Sequence, residues 1–364
     1  MMKMLSKLPD YRHRLTDTFL KLASIESSPL QERKFANHLK NIMTDLGCSV
    51  KEDSSALKTG SNCGNLICKY PGGEGPVLLF SCHMDRKGPY NMGGPVVKGS
   101  FIRSRGADDI SGITALIEAL RLINTQKIDC PPLVIIFTTA EESGMRGAKF
   151  LSPAVFKKPE MGFVLDGEGP VGAVINHSPE KRKVNIIISA EKGRNVIKIA
   201  SCALSNLNFR DDQGKKAANI FVSSGGTVRK KGPGMVELKG SVWSMKEKTI
   251  EKKIEHFKNE FFKYTNKFGG ELEFAVERLY SGFHVLPESR IIKLLKKSYN
   301  ISLATGSGGS DACVFNERGL PAVNLGTAVE NIHTNREKVK IQALSNLMEF
   351  VLSIIVSAAG FENV

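Results

Sequence analysis

The sequence predicts an α/β protein, a doubly wound mixed sheet domain into which a smaller α+β unit is inserted. Three observations carry this. Short, continuously apolar runs (VLLF at 77–80, LVIIF at 133–137, GFVL at 162–165) read as central strands covered by helices on both faces. Helical stretches alternate with these runs, as in a wound sheet. Near residue 178 the texture changes to βαββαβ, and the α/β pattern returns only after Ser281.

The elements follow in order. Residues 11–47 read as helical, broken at Ser27-Ser28-Pro29, with Phe35, Leu39, Ile42, Met43 and Leu46 at helical spacing and Gly47 as the stop. Strands are expected at 65–70, 77–82, 133–139 and 162–165, with a helix at 110–123. The inserted unit reads as strand 184–189, helix 193–207, strands 218–223 and 235–243, a basic helix 246–266 and strand 271–276. A helix at 289–299, a Gly-rich loop at 306–309, a strand at 322–325 and a closing amphipathic helix from Gln342 complete the chain. The expected division is 1–178 with 281–364 as one discontinuous domain and 179–280 as the insert; 364 residues suit about two domains at roughly 150 residues each.

Composition excludes several classes. Hydrophobic residues are 41% and charged residues 24%, too balanced for a disordered or collagenous chain. No apolar run reaches the roughly 18 residues of a spanning helix, and the first residues mix Lys, Asp, Arg and His, so a cytoplasmic protein without a membrane partner is expected. Seven cysteines without C-x-x-C spacing argue against a disulfide framework and a thiolate zinc finger. The net charge of +14 is concentrated: residues 181–270 carry 20 Lys+Arg against 8 Asp+Glu. That segment lacks interleaved aromatics and any RRM or KH signature, so it reads as a solvated basic face and nucleic acid is not an expected partner.

Chemistry collects at the strand ends, where open α/β sheets place their sites. The strand ending at Cys82 runs into His83-Met84-Asp85, and the two-residue period points His83 and Asp85 the same way, one to bind a metal and the other to orient it. Gly106-Ala107-Asp108-Asp109 precedes the helix at Ile110, where the acids also serve as N-terminal carboxylates. Glu141-Glu142 follow one apolar strand and Asp166-Gly167-Glu168 another, and Asn331-Ile332-His333 lies beyond the strand ending near Leu325. If these ends converge, His83, Asp108, Glu142, Asp166 and His333 offer two imidazoles and three carboxylates. Such a set suits zinc first, with cobalt or manganese as alternatives. If Asp108 bridges, each of two ions receives one His and one terminal carboxylate, and Glu141 is left over as a general base.

Together with Gly112 and Gly308-Gly309-Ser310-Asp311-Ala312, these motifs resemble the M20 metallopeptidases, in particular the peptidase T-like (tripeptide aminopeptidase) branch, over nearly the whole chain. The resemblance implies a zinc-exopeptidase-like catalytic domain and a ferredoxin-like lid. It further implies His83, Asp108, Glu142, Asp166 and His333 as metal ligands, Asp108 bridging, Asp85 behind them and Glu141 as base. A cis peptide between Asp108 and Asp109 and a homodimer formed through the lid are implied too. The expected activity is hydrolysis of amide bonds in short peptides. An N-acyl amino acid or related amide is the alternative substrate, and a weakly active or non-catalytic metal-binding paralogue is a further alternative.

Two departures motivate those alternatives. The family's lid stretch around a His is missing, since the strand through Ser189 and Ala190 passes directly to Glu191. The position of the family's carboxylate-gripping Arg is Trp243, the only Trp, and the family's Asn-containing loop is replaced by Arg229-Lys230-Lys231-Gly232-Pro233.

Overall fold

The computed structural model describes residues 11–88, 93–191, 193–211, 213–225 and 234–361. The basic loop Arg229-Lys230-Lys231-Gly232-Pro233 lies outside them. The chain divides into two compact units, residues 178–283 forming one and the flanking segments the other.

In the larger unit, α1 (Tyr11–Ala23) and α2 (Arg33–Asp45) are followed by β1 (Ser49–Glu52), a short α3 (Ala56–Thr59), β2 (Leu66–Tyr70) and β3 (Leu78–His83). Next come β4 (Val96–Lys98), β5 (Phe101–Arg103), α4 (Ala107–Gln126), β6 (Leu133–Thr138), α5 (Arg146–Lys149), β7 (Met161–Gly167) and β8 (Ala173–Ser178). The inserted unit holds β9 (Glu180–Ala190), α6 (Val196–Leu204), β10 (Ala218–Gly225), β11 (Gly234–Ser244), α7 (Glu247–Phe268) and β12 (Glu271–Tyr280). The chain closes with β13 (Phe283–His284), α8 (Arg290–Ser298), β14 (Ser302–Thr305), α9 (Asp311–Glu317), β15 (Ala322–Gly326), β16 (Val329–Glu330), β17 (Lys338–Lys340) and α10 (Ile341–Ala358).

The central sheet runs β1-β2-β6-β3-β7-β15-β8-β13, with β14 beside β8. Its middle strands β6, β3, β7 and β15 are parallel, whereas β2 and β8 join antiparallel, so the sheet is mixed. Every residue of β3 and β6 is buried, which requires cover on both faces and explains why their sequences do not alternate. Helix α4 packs against α1 and α10, while α9 packs on β7 and β15 and α2 on β1 and β2. A second small sheet, β16-β17-β5-β4, carries the segments that flank the Gly106 and His333 loops.

Helix α10 is long and apolar enough to cross a membrane by length and composition, contrary to the expectation that no segment would be. It is instead the core helix of the larger unit, with Leu344, Leu347, Phe350, Val351 and Ile354 all fully buried. An apolar stripe wide enough to meet α1, α4 and α8 is hydrophobic nearly all round.

In the inserted unit the sheet order β10-β11-β9-β12 is antiparallel throughout, the arrangement a ferredoxin-like βαββαβ unit produces. From Val184 on, strand β9 alternates buried and half-buried residues. Val184, Ile186 and Ile188 thereby meet Ile199 of α6 and Ile250, Phe257 and Phe261 of α7 in one core. Helix α6 spans Val196–Leu204, shorter than the 193–207 expected; it starts later because Asn195 caps it by accepting the Lys198 N–H. Trp243 sits on β11 with the Lys181 ammonium over its ring at 6.0 Å.

Glycine matters most at position 112, on the first turns of α4. A Cβ there would lie 2.2 Å from Asp109 Oδ1 and 2.7 Å from Leu165 Cβ of β7. Gly112→Ala is therefore expected to lower stability by about 1–3 kcal/mol, read as a reduced midpoint in urea unfolding. An unchanged midpoint would mean that α4 and β7 do not approach this closely.

Candidate metal centre

Parallel strands deliver their C-terminal ends to one edge of the sheet, and the titratable side chains gather there. His83 ends β3, Asp166 lies near the end of β7, and Glu141 and Glu142 occupy the turn after β6. Asp108 lies at the start of α4 with non-helical backbone angles, joined to Asp109 by the cis peptide that the resemblance implies. His333 comes from the loop between β16 and β17.

Asp108 stands at the middle. Its Oδ1 lies 3.5 Å from His83 Nε2 and its Oδ2 lies 3.6 Å from His333 Nε2. Asp166 Oδ1 is 3.9 Å from His83 Nε2 on one side, and Glu142 Oε1 contacts His333 Nε2 on the other. The result is two half-sites sharing one carboxylate: His83, Asp108 and Asp166, then Asp108, Glu142 and His333. Ligand atoms of His83, Glu141 and Asp166 also lie within 4.8 Å of one another, as do those of His83, Asp108 and Glu142.

Electrostatics within the cluster are strained. Burial, and after it the charges of Asp108 and Glu141, push the Asp166 carboxyl well above the usual carboxylate range. Burial also raises Glu141, with Asp311, Asp85 and Glu142 adding to it. Against the cost of its own burial, Asp108 is held well below the usual range by the neighbouring His333 and His83 imidazoles. The neighbouring Asp108 and Glu142 carboxylates carry the His333 imidazole up to about 9. Oxygen and nitrogen ligands crowded with mutually repelling negative charge fit hard or borderline divalent cations, whose own charge reverses this repulsion.

The supporting groups differ in part from the sequence expectation. Asp85 is expected to orient His83 by its carboxylate. In the structure His83 Nδ1 lies 2.8 Å from the Asp85 carbonyl oxygen and 3.6 Å from its Oδ1. The Asp85 carboxylate instead accepts the N–H groups of Glu141 and Glu142, at 2.9 and 3.0 Å, so it braces the acidic turn. Asp109 Oδ2 accepts the His83 N–H at 3.2 Å.

Four participants escaped the sequence reading. Glu337 Oε2 and Oε1 each accept at 3.0 Å, from the N–H groups of Gly106 and Asp108, and burial lifts its carboxyl to about 7. Lys87 Nζ lies 3.4 Å from Glu142 Oε2 at the exposed rim. Asp311 is buried under the turn, accepting the Thr138 hydroxyl at 2.6 Å, and burial raises it to about 6. Glu32 is buried and accepts the Ala140 N–H at 2.9 Å. Of these only Asp311 belongs to a motif visible in the sequence; the others carry no local signal.

Comparison with known proteins bears on the whole chain. Residues 79–357 match the profile described as Peptidase family M20/M25/M40. The uncharacterized protein YqjE of Bacillus subtilis (strain 168) is 33% identical over 366 residues, covering 95% of this chain and 98% of that one. A tripeptidase from Staphylococcus aureus subsp. aureus Mu50 is similar in structure with a TM-score of 0.88 at 29% identity, over 96% of this chain and 98% of that one. The aminopeptidase PepT from Bacillus cereus ATCC 10987 has a TM-score of 0.85, also at 29% identity, over 96% of this chain and 99% of that one.

Proposed function

Because the chain belongs to the M20/M25/M40 peptidase family, we propose that it is a di-metal hydrolase cleaving amide bonds in short peptides, with tripeptidase or aminopeptidase character. The observation that carries this reading is the sharing of Asp108 between the His83 and His333 half-sites, with Glu141 beside the first of them. The tripeptidase and PepT likenesses support the substrate class.

In this reading His83, Asp108 and Asp166 hold one divalent ion and Asp108, Glu142 and His333 the other, with zinc the first choice and cobalt or manganese next. Ions held there would supply Lewis-acid polarisation of the scissile carbonyl and a lowered pKa for the attacking water. Glu141 supplies the proton chemistry. Its carboxylate, which accepts no hydrogen bond among the described residues, takes the water proton and returns it to the leaving amine nitrogen. Asp85 holds the turn so that Glu141 and Glu142 face the cluster, Asp109 braces the His83 backbone, and Glu337 fixes Gly106 and Asp108 from behind. A homodimer through the inserted unit belongs to the same reading. Its edge strand β10 exposes Phe221 and Val222, at 57% and 59% of their surface.

The test is hydrolysis of a panel of di- and tripeptides and N-acyl amino acids by protein reconstituted with zinc, cobalt or manganese. Release of the N-terminal residue from tripeptides is the expected result. Turnover confined to N-acyl amino acids would move the substrate class to deacylation. Metal uptake with no turnover on any member would replace catalysis with a binding role.

A further inference from the structure

We infer that Glu32 is a positioning residue for Glu141, acting through the turn after β6; the inference rests on Glu141 being the base. Four successive main-chain amides in that turn donate to side chains rather than to a strand. Thr139 N–H donates to Asn65 Oδ1 at 3.1 Å, Ala140 N–H to Glu32 Oε1 at 2.9 Å, and Glu141 and Glu142 N–H to the two oxygens of Asp85. Three acceptors from separate parts of the chain thus take over where the β6 ladder ends. Within the turn Ala140 has φ 52°, a left-handed conformation that a residue with a Cβ keeps only where its surroundings over-determine it. Its N–H is the one Glu32 holds.

Local structure does not account for Glu32. It precedes α2, yet its side chain makes no capping hydrogen bond to that helix. It is fully buried, and its hydrogen-bond donors among the described residues are all neutral: Leu30 N–H at 3.0 Å, Ala140 N–H at 2.9 Å and the Ser61 hydroxyl at 2.6 Å. A buried carboxylate with no cation among its partners is costly, and an apolar residue would fill the same space more cheaply. What the carboxylate secures is the Thr139–Ala140 peptide, one residue before Glu141, and so the direction in which that side chain leaves the turn towards His83 and Asp166. Proton transfer demands this, since a misplacement of about 1 Å can cost roughly 10²-fold in rate.

The experiment compares metal-saturated wild type with Glu32→Ala, Glu32→Gln and Thr18→Ala, the last removing a buried hydrogen bond to Glu118 in the helical layer. Gln keeps an oxygen for the Ala140 N–H and turns its amide donor to the Ser61 hydroxyl. Glu32→Ala is expected to lower kcat by about 10- to 100-fold with KM within about twofold and both ions retained, because an interaction serving only the reacting geometry is lost. Amides 139–142 should exchange faster with deuterium in that variant. Glu32→Gln should recover kcat to within about threefold of wild type, and Thr18→Ala should leave it unchanged. The inference is overturned by wild-type kcat in Glu32→Ala, by unchanged exchange of amides 139–142, or by an equal kcat loss in Thr18→Ala. Should wild type and Glu141→Ala be equally inactive on every substrate, the base assignment fails instead. Exchange at 139–142 then decides the positioning role alone, faster exchange sustaining it and unchanged exchange overturning it.

Discussion

Glu141→Ala is expected to lower turnover of short peptides by about 10²- to 10⁴-fold while both ions stay bound, the range over which a positioned proton-transfer group contributes. The geometry makes this a discriminating test. Glu141 shares a 4.8 Å neighbourhood with His83 and Asp166, so it is close enough to be a ligand itself. A ligand and a base respond differently to removal: loss of a ligand lowers metal content, whereas loss of a base leaves the ions and lowers kcat. Kinetics should be paired with metal analysis of the same sample. Full activity in Glu141→Ala would remove it from the mechanism, and loss of one ion would reassign it to the coordination set.

Asp108→Ala has the other large expected effect. Asp108 is the one side chain that both half-sites share, its two oxygens facing His83 and His333 separately. In the proposed reading its removal would take a ligand from each ion at once. The expected result is loss of at least one ion per chain and of several kcal/mol of transition-state stabilisation, roughly 10³-fold or more in turnover. Chelation of the wild type should give the same loss and also lower its melting temperature, because ions that bind only the folded chain stabilise it by mass action. Asp166, Glu141 and Glu142 would then face one another without a compensating charge. Retention of two tightly held ions in Asp108→Ala would exclude the bridging role, and an unchanged melting temperature after chelation would exclude ions as part of the folded state.

The two variants also separate the groups that act on protons from those that hold the centre together. Asp85 belongs to the second kind by its contacts, since its carboxylate accepts the Glu141 and Glu142 amides at 2.9 and 3.0 Å while its Oδ1 stays 3.6 Å from His83 Nδ1. A carboxylate two residues beyond a strand-end His points the same way as that His only while the backbone stays extended. Here β3 ends at His83, and the chain leaves the strand before Asp85.

Much of the fold and of the candidate site was legible from the residues themselves, for a physical reason. Central parallel strands are buried on both faces, so VLLF, LVIIF and GFVL had to be continuously apolar, and the acids or imidazole that come within the next five residues lie at the C-terminal end of the strand. His83, Glu141, Glu142 and Asp166 were found by that rule. The alternation along β9 and the helical spacing in α7 similarly made the inserted unit visible. Short or edge strands such as β1, β4, β5 and β14 were not visible, because their residues are largely exposed or too few to set a period.

The sequence by itself determined which side chains are available to a two-ion centre and on which strand ends they sit, since burial pattern and strand termini are local properties of the chain. Only the tertiary structure decided that Asp108 turns one oxygen to each histidine, that Glu337 reaches back 229 residues to hold it, and that Glu32 and Asn65 grip the Glu141 turn across 108 and 74 residues. Those hydrogen bonds join segments that meet only when the sheet closes, and a single buried carboxylate or amide leaves no period in the sequence to announce its distant partner.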